Sequence, residues 1–378
     1  MLRVIVLLAA ALSSLHDFFP AELAHYGVVG GSVLVISGGQ VSEREYYGEA
    51  NRESQQAVDA ETTFHWASIT KTFTGIAILQ LRDRGLLKLD DPVVKYVAEL
   101  RAVHDPYGPI DAITIRELMT HSAGFRAATW PWGGDHDWEP FEPTEWSQIV
   151  AMLPYTEILF PPGTKHSYSN LGVVFLGQII ERLSGDPYQV YIDKNILKPL
   201  QMYASYFDRA PYFLLRHRAE GYYREKGVLR RAPFNFSSGI TVSNSGLNAP
   251  LSDMAKYLEF LLGGGDRRNS SDVLKRSSLE EMFQKQLAID ASGASQTAGE
   301  RGRDWIGLSF FIHEQGGRKY IGHGGEQGGF ISHFYVDPAH GNAYIVAFNT
   351  DSSDAATNTH KLDAELRDYI FAHVFGVR

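Results

Sequence analysis

A serine and a lysine three positions apart, Ser68-Ile69-Thr70-Lys71, stand at the head of an apolar run and have the makings of a covalent catalyst. On a helix, positions i and i+3 share a face, so the Ser68 hydroxyl and the Lys71 amine can lie side by side. A neutral amine there takes the hydroxyl proton. The run that follows, with Phe73, Ile76, Ala77, Leu79 and Leu81 before Gly85, predicts a buried helix of about 17 residues with Ser68 at its start. The positive end of that helix favours an alkoxide, or the anion formed when it attacks a carbonyl. Phe64 and Trp66, just upstream, would bury the amine and lower its pKa. Taken alone, a serine three residues before a lysine is a common pairing and reads equally well as a helix cap followed by a solvated lysine.

Two further elements change that balance. Tyr168-Ser169-Asn170 opens a second apolar helix, Leu171 to Leu183, closed by Gly185. A tyrosine beside a lysine amine can have its pKa lowered and carry a proton, and an amide can hold both lysine and substrate. His323-Gly324-Gly325 lies on an expected strand from Tyr320, followed by the glycine-rich Glu326-Gln327-Gly328-Gly329-Phe330. Glycines let a substrate lie close to a strand edge, where backbone N–H groups can stabilise an oxyanion.

In this order and spacing the three elements resemble those of the serine β-lactamase and penicillin-binding-protein superfamily, and within it the class C β-lactamase-like branch with its carboxylesterases and D-amino-acid peptidases. Residues 64–89, 114–125, 161–185 and 322–349 all carry the likeness. The resemblance implies acyl transfer. Ser68 would attack an ester, amide or lactam carbonyl, Lys71 and Tyr168 would share the base role, and water would release the acyl group. The N–H groups of Ser68 and Glu326 would hold the oxyanion, with Asn170, His323, Gly324 and Gly325 lining the substrate site. No cofactor or metal is implied. Two residues depart from the pattern. His323 stands where many relatives have lysine, and Glu326 where they often have a small residue, so attraction for anionic substrates should be weakened. A β-lactamase or penicillin-binding protein therefore ranks below hydrolysis of neutral esters, or of peptides with an amine near the scissile bond. Glu326 could equally face solvent. An acyltransferase and a non-catalytic scaffold are the other readings, the second opposed by the intact Ser68, Lys71, Tyr168 and Asn170.

The elements that must position these residues follow from periodicity. Val28 to Ile36 and Gln40 to Tyr47 read as a hairpin around Gly38-Gly39. Helical patterns fill Ser68 to about Leu262, with a capping box at Thr114-Ile115-Arg116-Glu117 and a glycine stop at Gly263. Strands are expected at Trp305 to Ile312, Lys319 to His323, Phe330 to Val336 and Asn342 to Asn349, then a helix from about Asn358 to Phe375. Strands at both ends around a helical middle imply an α/β (α+β) fold. Its antiparallel sheet comes from N- and C-terminal segments flanked by helices, with an inserted all-helical lobe. A single β-lactamase-like catalytic domain would span 20–378, its sheet lobe about 20–67 plus 300–378 and its helical lobe about 68–299.

Composition narrows the partners. At 378 residues and 44% hydrophobic, the chain can bury a large core. A formal charge of −9 argues against nucleic acid and anionic membranes. That leaves a small-molecule ester, amide or peptide as the expected partner, with no integral membrane association. Without cysteine there is no disulfide and no thiol catalysis. Arg3, the apolar stretch Val4 to Leu12, and Ala11 and Ser13 resemble a secretory signal over 1–13, which would make the protein secreted or periplasmic. An ordinary N-terminal helix in a cytoplasmic protein is the alternative. Trp130 to Glu139 could form a flap over a cleft, while adjacent Asp135, His136 and Asp137 make a poor metal set without a further ligand. His121 is expected to be a hydrogen-bonded core residue rather than a catalyst.

Overall fold

The computed structural model describes residues 14–129, 143–234, 236–264, 272–289 and 304–377. The signal-like segment 1–13 and the flap segment with Asp135, His136 and Asp137 lie outside them. Among the described residues no helix is long and apolar enough to cross a membrane.

The first helix, α1 (Leu15–His25), is capped by Ser14 and leads into a hairpin of β1 (Gly30–Ser37) and β2 (Gln40–Asn51). Gly38 and Gly39 both take positive φ, 57° and 80°, as a two-residue hairpin turn requires. Seven further strands complete the main sheet: β3 (Gln56–Ala57), β4 (Leu287–Ala288), β5 (Trp305–Ile306), β6 (Phe311–Gln315), β7 (Arg318–Gln327), β8 (Phe330–Asp337) and β9 (Asn342–Phe348). Their order is β3-β2-β1-β9-β8-β7-β6-β5-β4, antiparallel throughout. The first strand pairs with the last, Gly31 opposite Phe348 and Ile36 opposite Ala343.

Both faces of the sheet are covered, so β1, β8 and β9 are buried along almost their whole length. Successive residues of a strand point to opposite faces. Val33, Val35, Tyr344 and Val346 accordingly pack with Phe18, Leu23, Leu362 and Leu366 of the terminal helices. Leu34, Ile36, Ala343 and Ile345 face the core shared with the insertion, among the helices α2 (Thr70–Asp83), α3 (Asn170–Ser184) and α4 (Leu251–Leu262). The chain then ends on α5 (Thr359–Tyr369) and a wider turn over Ile370–Val374.

The insertion is mainly helical and also contributes four short strands, 206–207, 222–225, 228–231 and 247–250, which helical periodicity did not register. Two other expectations needed adjustment. The stretch Trp305 to Ile312 divides into β5 and β6, because Gly307 passes so close to the Met282 carbonyl that a Cβ would sit 2.3 Å from it, and the chain bends there. Strand β7, expected to stop at His323, runs on through Gln327. Gly322 and Gly325 serve close approach to neighbouring backbone rather than a loop. Only Gly328 and Gly329, at φ 61° and 81°, form the turn into β8.

Candidate active site

Ser68 lies in a 3-10 turn, Ala67–Ile69, two residues before the start of α2 at Thr70 and not in the helix proper. Ala67, next to it, is held at φ 45°, a backbone region that alanine rarely adopts and that surrounding structure must enforce. The enforcement is visible on the strand side. A Cβ on Gly325 would stand 2.2 Å from the Trp66 carbonyl, so β7 presses directly on this turn. Ser332 Oγ of β8 adds a hydrogen bond to the same carbonyl at 3.3 Å, and the Trp66 indole donates to the Ala249 carbonyl at 2.9 Å.

Lys71 occupies the first turn of α2 and is 1% exposed. Its Nζ lies 2.8 Å from Ser68 Oγ and donates to the Asn244 carbonyl at 2.8 Å. Burial without a carboxylate partner drives its pKa well below that of an ordinary lysine, because the charged form loses its hydration. The rest of α2 is buried through Leu81, and its threonines are hydrogen-bonded to neighbouring elements. Thr72 takes a 2.7 Å bond from Tyr257, and Thr74 pairs with Tyr188 at 2.7 Å and donates to the Ser243 carbonyl at 2.6 Å.

Tyr168 sits just before α3, whose start is fixed by Ser169. The Ser169 hydroxyl accepts the Gly172 N–H at 3.0 Å and donates to the Arg126 carbonyl at 2.7 Å. Lys71 Nζ lies over the Tyr168 ring, 4.9 Å from its centroid. The expected lowering of the tyrosine pKa is not found. Burial raises it, and only the facing Ser68 hydroxyl works the other way. Burying a phenolate costs more than its hydrogen-bonding neighbour returns. Asn170 also departs from expectation. It lines the cavity with Ser68, and Lys71 takes its second partner from the Asn244 main chain instead.

His121 emerges as a member of the site that the sequence reading assigned to the core. Its ring lies against Tyr168, centroids 4.5 Å apart, and its Nδ1 accepts the Ser169 N–H at 3.2 Å. Both readings hold in part, since it is buried and hydrogen-bonded as expected. The missed signal was its place two residues before Ala123-Gly124-Phe125, in a turn that carries it at φ 50°. Burial, helped by His166, Lys71 and His323, keeps this imidazole uncharged.

His323 is 2% exposed, and its pKa is pushed down to about 3, first by burial and then by Lys71. Its Nδ1 donates to the Gly324 carbonyl at 2.6 Å, which leaves Nε2 as an unpartnered lone pair. The structure brings Ser68, Tyr168, Asn170, His323, Gly324, Gly325 and Glu326 to one cavity of about 160 Å³, with Phe311 as its apolar wall. Glu326 thus faces the cavity, with its side chain 39% exposed. Three residues that the sequence reading did not single out, His333, His360 and Asp363, line the same space.

Residues 15–367 match the family model described as Beta-lactamase. Among curated proteins, Protein flp of Staphylococcus aureus (strain MW2) is 25% identical over 86% of this chain, which spans 60% of that protein's length. Esterase EstB of Burkholderia gladioli is 30% identical over 51% of this chain and 51% of its own. Among solved structures, an octameric penicillin-binding protein homologue from Pyrococcus abyssi superposes with a TM-score of 0.77 at 28% identity, over 95% of this chain and 76% of its own. A class C beta-lactamase superposes with a TM-score of 0.72 over 92% of each chain, a likeness of fold at 20% identity.

Proposed function

This chain belongs to the Beta-lactamase family, and from that premise we propose that it is a serine hydrolase cleaving ester or amide bonds through an acyl-enzyme, of carboxylesterase or D-amino-acid peptidase type. One observation carries the reading: a buried Lys71 amine 2.8 Å from the Ser68 hydroxyl, in surroundings that lower its pKa well below that of an ordinary lysine. The amine accepts the hydroxyl proton as Oγ attacks the carbonyl carbon, and the carbonyl π pair moves onto oxygen. Backbone N–H groups of Ser68 and Glu326 are assigned to that oxyanion, where one such donor is worth roughly 2.7–4 kcal/mol of barrier. The proton returns from Lys71, directly or through the Tyr168 hydroxyl, to the leaving oxygen or nitrogen as its bond to carbon breaks. Water then repeats the attack on the acyl-enzyme and regenerates Ser68.

Lys71 is the better base of the two candidates, since burial makes its neutral form abundant while it makes the tyrosinate scarce. The neutral His323 offers no counter-charge to an anionic substrate. Both points favour neutral or amine-bearing esters and amides over β-lactams, and the likeness to an esterase agrees. Intact-mass measurement after fluorophosphonate treatment tests the nucleophile. One addition is expected on the wild type and none on Ser68→Ala, and equal labelling of the two would overturn the assignment. A panel of p-nitrophenyl esters, D- and L-amino-acid amides and nitrocefin then ranks the substrates. Export is proposed from the N-terminal sequence, and N-terminal sequencing of protein from its native source tests it.

A further inference from the structure

Glu326, at the end of β7, meets two residues from elsewhere in the chain. One carboxylate oxygen each from Glu326 and Asp351 and one ring nitrogen of His360 lie within 4.8 Å of one another. Asp351 comes from the short strand Thr350–Ser352, and His360 from the first turn of α5. The charges acting on this pair of carboxylates are His360, Glu225 and one another, and no lysine or arginine is among them. Burial raises the pKa of both carboxyls, and while both are ionised the trio stays net negative even with the imidazole protonated.

A second observation is independent of that cluster. Asp363, one turn along α5 from His360, is 2% exposed, and its Oδ1 has no hydrogen-bond partner. Its other oxygen is 3.0 Å from His333 Nδ1. A buried carboxylate oxygen left without a donor is costly, and a cationic ligand would repay it. Asp363, His333, His360 and Glu326 all line the cavity that Ser68 and Tyr168 line, and among the described residues no lysine or arginine does.

We propose that Glu326, Asp351 and His360, with Asp363 lining the same cavity one turn along α5, form a subsite for the ammonium group of the substrate, so that the hydrolase prefers esters or amides carrying a free amine close to the scissile carbonyl. The inference rests on the hydrolase reading and names its substrate class. An ammonium reaching three acceptors at ~2.8 Å spreads them about 4.6 Å apart, whereas tetrahedral zinc with bonds of ~2.0–2.2 Å draws its ligands to about 3.3–3.6 Å. The three atoms, all within 4.8 Å of one another, leave room for an ammonium, although the His360–Glu326 pair alone, at 3.6 Å, would also suit a metal. Glu326 and His360 open onto the cavity of Ser68, with Asp351 behind them, and that decides for the substrate.

The test uses isosteres, alanyl p-nitroanilide of either hand against isobutyryl p-nitroanilide, which differ in an ammonium for a methyl. Wild type is expected to favour one alanyl enantiomer by at least about tenfold in kcat/KM, and Asp351→Asn and Asp363→Asn to cut that ratio by at least about fivefold. An unchanged ratio in both variants overturns the subsite. Binding of alaninamide against isobutyramide to Ser68→Ala needs no turnover. If that preference holds and falls with Asp351→Asn while Ser68 of the wild type refuses fluorophosphonate, the subsite stands and the hydrolase reading fails. Equal binding of the two amides overturns the subsite even if Ser68 labels. Stoichiometric zinc in the purified protein, lost in Asp351→Asn, also overturns it in favour of a metal.

Discussion

The ring of His121 lies against that of Tyr168 at an interplanar angle of 34°, while its Nδ1 accepts the N–H of Ser169. One side chain thereby fixes both the tyrosine ring and the start of the helix behind it. His121→Ala should lower kcat by about 10-fold or more with KM little changed, as expected when a proton carrier is loosened without contact to substrate. His121→Asn separates the two jobs. Asparagine tolerates the φ of 50° and its side-chain oxygen can accept the Ser169 N–H, so thermal stability should recover while kcat does not. Full recovery of kcat in His121→Asn would show that the ring contact is irrelevant.

Lys71 and Tyr168 should be non-additive. Lys71→Ala and Tyr168→Phe are each expected to lose at least ~10²-fold in kcat, the range of one proton-transfer partner. The double variant should lose much less than the product, because each acts on the same proton. A full multiplicative loss would mean that the two work in separate steps.

The lowered lysine pKa has a sign that can be measured. In the folded protein Lys71 is neutral at pH values where the unfolded chain binds its proton, so the unfolded state holds more protons between the lowered pKa and about 10.5. Wild-type stability should therefore gain with rising pH across that window, relative to Lys71→Met, which has nothing to titrate. Denaturant midpoints of the two proteins from pH 6 to 9 read this out. A constant difference would mean that Lys71 is charged in the fold. Activity should fall on the acid side as Lys71 takes up its proton, and His323, already neutral, should contribute no limb between pH 5 and 8.

Gly325→Ala is expected to cost about 1–3 kcal/mol, the usual penalty for forcing a methyl into filled space. The new Cβ would meet the Trp66 carbonyl at 2.2 Å and Ser332 Oγ at 2.6 Å. Since relief must come from the turn carrying Ser68, the fluorophosphonate labelling rate should fall as well. Wild-type melting temperature and labelling rate in Gly325→Ala would show that β7 does not hold the turn.

Ser68, Lys71, Tyr168 and His323 were legible because short-range periodicity places them: i and i+3 at the head of a helix, a helix start, and a strand. The capping box at Thr114 and Glu117 and the αL stops at Gly185 and Gly263 formed where they were expected, each from local backbone chemistry. The order of the nine strands was not legible, since antiparallel pairing between residues some 300 apart leaves no local trace. Neither was the effect of burial on Tyr168, which depends on elements distant in sequence closing around the ring. Asp351 gave no signal. His360 and Asp363 did give one, as acid and imidazole at i and i+3 on the last helix, and it went unread because nothing local tied that helix to Ser68.

Pairing of β1 with β9 has a consequence for how the protein is made. On a ribosome the apolar edge Gly30-Gly31-Ser32-Val33-Leu34-Val35-Ile36 emerges early, and its partner Asn342–Phe348 is about 300 residues behind, or roughly 15–60 s at usual synthesis rates. Through that interval the hairpin presents an unpaired edge of the kind that recruits other chains. Slower translation should lengthen the exposure and faster release should shorten it. The yield of soluble protein should therefore respond to codon choice and to holdase chaperones more than to any substitution near Ser68.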